Sequence, residues 1–140
     1  MVARATDREM IASEEVLIIP PEGGRRYPMG TMEGVILADN NETGNAYCAS
    51  TWWLDPNSAG PGAHKHDANE EVFLVIEGTM SFLVGDRWWD AAQGTFLRIP
   101  AGTLHDFKNR TNRPAGLFNM YLPGGFEQLM PAIMKWFAER

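Results

Sequence analysis

The sequence contains three histidines, and all of them fall in two short segments. The first reads His64-Lys65-His66-Asp67-Ala68-Asn69-Glu70-Glu71, and the second ends Pro100-Ala101-Gly102-Thr103-Leu104-His105. Imidazoles and carboxylates are metal donors, and spacing decides whether they can share an ion. Residues two apart on an extended strand point to one face. His64 and His66 can therefore lean onto a common ion, about 2.0–2.1 Å from each ring nitrogen. Glu71 follows His66 at an odd offset, which on a straight strand would face it away. The turn-prone Asp67-Ala68-Asn69 supplies a bend that resets the phase. His105 has to arrive from a distant strand. Three neutral imidazoles and one carboxylate form a mixed nitrogen and oxygen donor set that suits Fe, Mn, Ni, Co, Cu or Zn better than Ca or Mg. A single histidine on a strand would signify an ordinary hydrogen-bonded residue. The conjunction of all four predicts one divalent transition metal ion, with coordination positions left over for water, substrate or dioxygen.

The elements that must position these residues are short and β-rich. Candidate strands are Val16–Ile19, Gly34–Ala38, Ala46–Leu54, Val72–Glu77, Met80–Val84, Arg87–Asp90, Thr95–Ile99, Leu104–Lys108 and Gly116–Leu122. Gly, Pro, Asn and Asp separate them, the pattern of an all-β sandwich or barrel. Gly78 and Gly85-Asp86 read as hairpin turns, and Ile99-Pro100-Ala101-Gly102 as another turn. Near the C-terminus the period changes. Phe126, Leu129, Met130, Ile133, Met134 and Phe137 recur at helical spacing. Pro131 is tolerated only in a first turn, so a turn near Phe126–Met130 followed by a helix to about residue 139 is expected, packed as a lid on the barrel.

Composition narrows the setting. The 140 residues suffice for one domain, spanning 1–140, and show no repeat or linker. Twelve Lys and Arg against 18 Asp and Glu give a net charge of −6, which argues against a nucleic-acid surface. The basic pair Arg25-Arg26 reads as a solvated loop. The single cysteine, Cys48, cannot form an internal disulfide and sits in an apolar run, so it reads as an inert buried thiol. The first fifteen residues contain no apolar signal segment, and no apolar run approaches the ~20 residues of a membrane span. A cytoplasmic protein without membrane contact is the expectation.

The two histidine segments resemble the paired motifs of the cupin superfamily: H-x-H, three or four residues, E, six residues, G, and then G, five residues, P-x-G, two residues, H, three residues, N. Nine positions correspond, namely His64, His66, Glu71, Gly78, Gly94, Pro100, Gly102, His105 and Asn109. One departs: the family's opening glycine is Ser58 here, which puts the approach loop in question and leaves the ligands untouched. The motifs span residues 58–109. The resemblance is closest to small quercetin dioxygenase-like cupins, and it implies a double-stranded β-helix, or jelly roll, whose interior holds a ligand.

By period two, Thr103, Phe107 and Asn109 share a face with His105, and Phe73 and Val75 share one with Glu71. These five are the pocket candidates, and the lining they predict is largely apolar. Trp52-Trp53 and Trp88-Trp89 should each send one indole inward. The functional expectation is metal-dependent, dioxygenase-like oxidoreductase chemistry on a small organic molecule, with Glu71 doubling as a general base. The alternatives are a non-catalytic metal- or ligand-binding cupin and a metal-assisted isomerase or lyase. A homodimer is expected, with the run Glu15-Val16-Leu17-Ile18-Ile19 adding to a sheet edge of a second copy.

Overall fold

The computed structural model describes residues 16–140. Nine strands form two facing sheets that are not closed on one another, a jelly-roll sandwich. The larger sheet contains β1 (Arg25–Met29), β2 (Met32–Ala38), β3 (Cys48–Leu54), β9 (Ala115–Leu122), β4 (Glu70–Glu77) and β7 (Phe96–Ile99), in that spatial order. The smaller one is ordered β6 (Arg87–Ala92), β5 (Thr79–Val84), β8 (His105–Lys108). Every pairing is antiparallel. Isolated bridges Ser58↔Asn109 and His64↔His105 lay the segment before β4 along the free edge of β8.

Alternation along the strands gives each sheet its inner face. Ser50, Trp52 and Leu54 of β3 face inward with Leu117, Asn119 and Tyr121 of β9 and with Glu71, Phe73 and Val75 of β4. From the smaller sheet Met80, Phe82 and Phe107 meet them, and the rings of Phe73, Phe82 and Phe107 stack with centroids 5.3–6.1 Å apart. Gly78 makes the β4–β5 turn at φ 65°, and a Cβ there would come within 2.5 Å of the Pro114 carbonyl oxygen. Only glycine fits both demands.

Several sequence expectations need correction. Val16–Ile19 joins no sheet among the described residues, and Pro20-Pro21, which lack backbone N–H groups, end the run after four residues; Glu15 lies outside the described residues. Arg25-Arg26 is no solvated loop: it opens β1, and Arg25 Nε donates to Glu127 Oε2 at 2.7 Å while its Nη2 meets Glu42 Oε1 at 2.9 Å. A short helix α1 (Asn40–Thr43) separates β2 from β3, and Glu42 Oε1 accepts the Asp39 N–H at 3.0 Å across its first turn. Neither Trp88 nor Trp89 enters the interior. The cationic Lys108 and Arg87 stack over Trp88 and Trp89, at 4.0 and 3.7 Å from the ring centroids, on β6, an edge strand whose side chains apart from Ala91 are exposed or half-buried.

The C-terminal segment forms a 3-10 turn, Phe126–Leu129, leading into helix α2 (Met130–Ala138) with Pro131 in its first turn. Its attachment is polar as well as apolar. The fully buried Asp39 accepts the Gly125 N–H on Oδ1 at 2.6 Å and the Glu127 N–H on Oδ2 at 2.7 Å. Tyr27 Oη–H donates to Glu127, and burial together with that carboxylate pushes the phenol up to about 12. Cys48 is buried close by, and desolvation pushes its thiol far up, as befits an unreactive core residue. Among the described residues no helix is long and apolar enough to cross a membrane.

Asp39→Ala removes the acceptor of two half-buried N–H groups and empties a fully buried side-chain position. It should cost about 2–4 kcal/mol of stability, read by chemical denaturation, whereas Asp39→Asn should cost less. A wild-type midpoint for the alanine variant would contradict the assigned role of this carboxylate.

Candidate metal centre

The four sequence-nominated donors converge. His64, His66, Glu71 and His105 each offer one ligand atom, and these atoms all lie within 4.8 Å of one another. The convergence follows from the topology. Glu71 projects inward from β4 of the larger sheet, His105 from β8 of the smaller one, and reciprocal N–H···O bonds of 3.0 and 2.8 Å strap His64 to His105. His66 follows in a loop fastened by its own carbonyl, which accepts the Gly102 N–H at 2.8 Å. The chain bends at Asp67 and Ala68, which brings Glu71 back to the side of the imidazoles.

Hydrogen bonds orient the ligands. Gly62 O accepts from His64 Nδ1 at 2.6 Å, and Thr103 O accepts from His105 Nδ1 at 2.8 Å. A proton on each Nδ1 leaves the Nε2 lone pair directed inward, the arrangement metal-bound imidazoles require. Glu71 Oε2 lies 2.6 Å from His105 Nε2 and 3.4 Å from His66 Nε2. His66 Nε2 is buried and has no hydrogen-bond partner. An orphaned imidazole nitrogen facing a buried carboxylate is what a metal site leaves when its cation is taken away. The residues therefore fit a transition metal ion, held by three Nε2 atoms and Oε2 of Glu71.

The electrostatics agree. Burial lowers the His66 imidazole below its ordinary value, outweighing the pull of Glu71, so it is held neutral as a ligand must be. Burial also acts to lower His105, but the hydrogen bonds to Glu71 and the Thr103 carbonyl prevail and hold it above the usual range.

One participant was missed in the sequence. Asn119 on β9 donates from Nδ2 to Glu71 Oε1 at 3.2 Å and to the Val72 carbonyl at 3.3 Å. Behind it Trp52 Nε1–H donates to Ser50 Oγ at 2.9 Å, and Ser50 Oγ lies 3.5 Å from Asn119 Oδ1. This chain through the apolar core occupies Oε1 and leaves Oε2 for the ion. The available signal was an asparagine at an inward position of the apolar run Leu117-Phe118-Asn119-Met120-Tyr121, where an amide needs a partner.

A cleft of about 630 Å³ opens over His64, His66 and Glu71, with His105 buried behind them. Of the five pocket candidates, Phe73 and Phe107 line it. Val75 is core, fully buried away from the cleft. Thr103 contributes its carbonyl to His105 and does not line the cleft. Asn109 is a fastener: its Nδ2 donates to the Asp55 and Arg113 carbonyls at 3.1 and 2.6 Å, and its Oδ1 accepts the Thr111 N–H at 2.9 Å. Ser58 pairs with Asn109 through two backbone bonds of 2.9 Å, so the absent glycine leaves the approach strand intact. Trp52 is the inward member of its pair and lines the cleft. The roof, which no pocket candidate included, is Leu129, Ala132, Ile133 and Trp136 from the C-terminal segment, with Arg140 beyond it.

Comparison with known proteins bears on this geometry. The cupin domain family matches residues 51–121. The quercetin 2,3-dioxygenase of Bacillus subtilis (strain 168) is 26% identical over 90 residues, which is 64% of this chain and 26% of that enzyme, so the chain spans about a quarter of that relative's length. KdgF from Halomonas sp. superposes with a TM-score of 0.71 at 13% identity, covering 82% of this chain and 100% of that one. A predicted oxalate decarboxylase from Thermotoga maritima gives 0.69 at 16% identity, covering 76% and 99%. At such identities the superpositions show a shared fold.

Asn119→Leu removes the hydrogen bond that orients Glu71 without adding charge. It should weaken metal binding about ten- to hundredfold, measured by competition with a chromophoric chelator. Unchanged affinity in a folded variant would contradict a role for Asn119 at the metal.

Proposed function

The chain belongs to the cupin domain family, and on that premise we propose that it is a metal-dependent enzyme performing dioxygenase-like chemistry on a small organic molecule. The observation that carries this reading is the unpartnered His66 Nε2 beside the Glu71 carboxylate at the base of an apolar cleft. A bound transition metal would polarise a chelating substrate oxygen and supply redox capacity toward dioxygen. The chain's own groups do the rest. Glu71 would accept the proton of a substrate hydroxyl on Oε2 once that oxygen releases the ion, and the Asn119 hydrogen bond to Oε1 would hold the carboxylate in place meanwhile. Phe73, Phe107 and Trp52 floor the cleft and α2 roofs it, so water is largely displaced when a flat organic ligand enters. The sequence likeness to quercetin 2,3-dioxygenase supports oxygen chemistry over the other reactions the fold hosts.

For partners beyond the substrate, a second copy of this chain is the one the surface supports. Leu74 and Phe96, cross-strand neighbours on the outer face of the larger sheet, are exposed, Phe96 by 63%, as are Val16 and Ile18. Sedimentation at tens of micromolar should show a dimer, which Phe96→Glu should weaken; a wild-type monomer would refute this.

The test of the enzymatic reading is oxygen uptake by protein loaded in turn with Fe, Mn, Ni, Co, Cu and Zn, against flavonols, catechols and keto acids. Uptake with at least one metal is expected, and His105→Ala should lose both the bound ion and turnover. Silence across every metal and substrate would overturn the dioxygenase reading in favour of a binding protein, or of an isomerase or lyase that consumes no oxygen.

A further inference from the structure

The cleft carries a second piece of chemical information at its mouth. Apart from the donors and Asn119, nearly all of its wall is apolar: Trp52, Phe73, Phe107, Phe126, Ile133 and Trp136. Among the described lining residues the one cationic side chain besides the histidines is Arg140. Its guanidinium carbon stacks 3.8 Å from the centroid of the Trp136 ring. Stacking uses the flat face of the guanidinium and leaves its N–H edge free to grip a planar anion. Arg25, Arg26, Arg98 and Arg110 each hold a carboxylate, but among the described residues no carboxylate pairs with Arg140.

The stack has a defined seat. A Cβ built on Gly62 would come within 3.2 Å of the Trp136 ring, so the indole rests against the loop whose carbonyl orients His64. The cleft therefore offers metal-ligating donors at its base, an apolar passage lined with aromatic rings, and at the rim one cation without a carboxylate partner among the described residues.

Resting on the metal-chelate reading above, we propose that the substrate is an aromatic or similarly flat apolar molecule bearing a carboxylate remote from its metal-binding oxygens, and that Arg140 receives that carboxylate. Two other classes fit poorly. A sugar phosphate would bring several hydroxyls to walls with almost no donors or acceptors, leaving them unpaired. A compact diacid would occupy little of about 630 Å³ and leave both the aromatic walls and Arg140 unused.

The test compares 3,4-dihydroxyphenylacetate with its methyl ester. Both carry the same chelating oxygens, and the methylene insulates the catechol ring from the change at the carboxyl, so the two differ in the remote charge. Binding to the full, cobalt- or iron-loaded chain is read from the metal's absorption spectrum. The wild type should prefer the acid by about two- to fivefold, the scale of a single exposed ion pair. Arg140→Gln should bring the ratio close to one. Equal binding by the wild type, or a preference that survives Arg140→Gln, overturns the inference and leaves the chelate reading standing. If neither compound perturbs the metal spectrum, the chelate reading fails and takes the inference with it.

Discussion

A carboxylate buried in an apolar interior is expensive unless cations or donors surround it. Glu71 lies in that position, between two sheets, with imidazoles on one side and an amide on the other. Much of the architecture near the site can be understood as provision for that one group. The smaller sheet brings His105 and, through the bridge at its edge, His64; the larger sheet brings Glu71 and Asn119. A divalent ion in their midst would satisfy the carboxylate and the orphaned His66 nitrogen at once. It would also tie the two sheets together across the open side of the sandwich, coupling metal binding to stability.

The second layer of organisation is the polar clasp that seats the C-terminal helix. Asp39 gathers the backbone of the 3-10 turn, while Arg25 and Tyr27 hold Glu127 from the opposite strand. Apolar contacts alone would leave a nine-residue helix weakly placed, since its stripe is only half covered. With the clasp in place Ile133 and Trp136 become a roof, and the cleft acquires its depth. Fold, clasp and cleft thus form one chain of dependence, from hydrogen bonds near the N-terminus of the described chain to the shape offered to a ligand.

The ligands were legible because each is a rare, chemically committed residue at a constrained spacing. The strands were legible wherever inward apolar residues alternated with exposed ones, as in β3, β4 and β9. Errors arose where that signal was misleading. Val16–Ile19 has strand-like residues, but two prolines cut the run short and it pairs with no strand among the described residues. β1 was invisible because Arg25, Arg26 and Pro28 make a poor strand by composition, and its stability comes from pairing with β2 and ion pairs to remote carboxylates. Asn109 sits where period two points it inward, yet its amide is consumed by loop carbonyls. Asn119 does reach the site but belongs to no motif. Periodicity could locate a face, whereas the partners on that face depended on which strands the topology made neighbours.

The central claim is that one ion binds among three imidazoles and Glu71. An anomalous-difference map from crystals of metal-loaded protein tests it most directly. The account predicts a single strong peak per chain, about 2.0–2.2 Å from the Nε2 atoms of His64, His66 and His105 and from one oxygen of Glu71. A map with no peak there, or with the ion bound elsewhere while His66 turns away from Glu71, would contradict it.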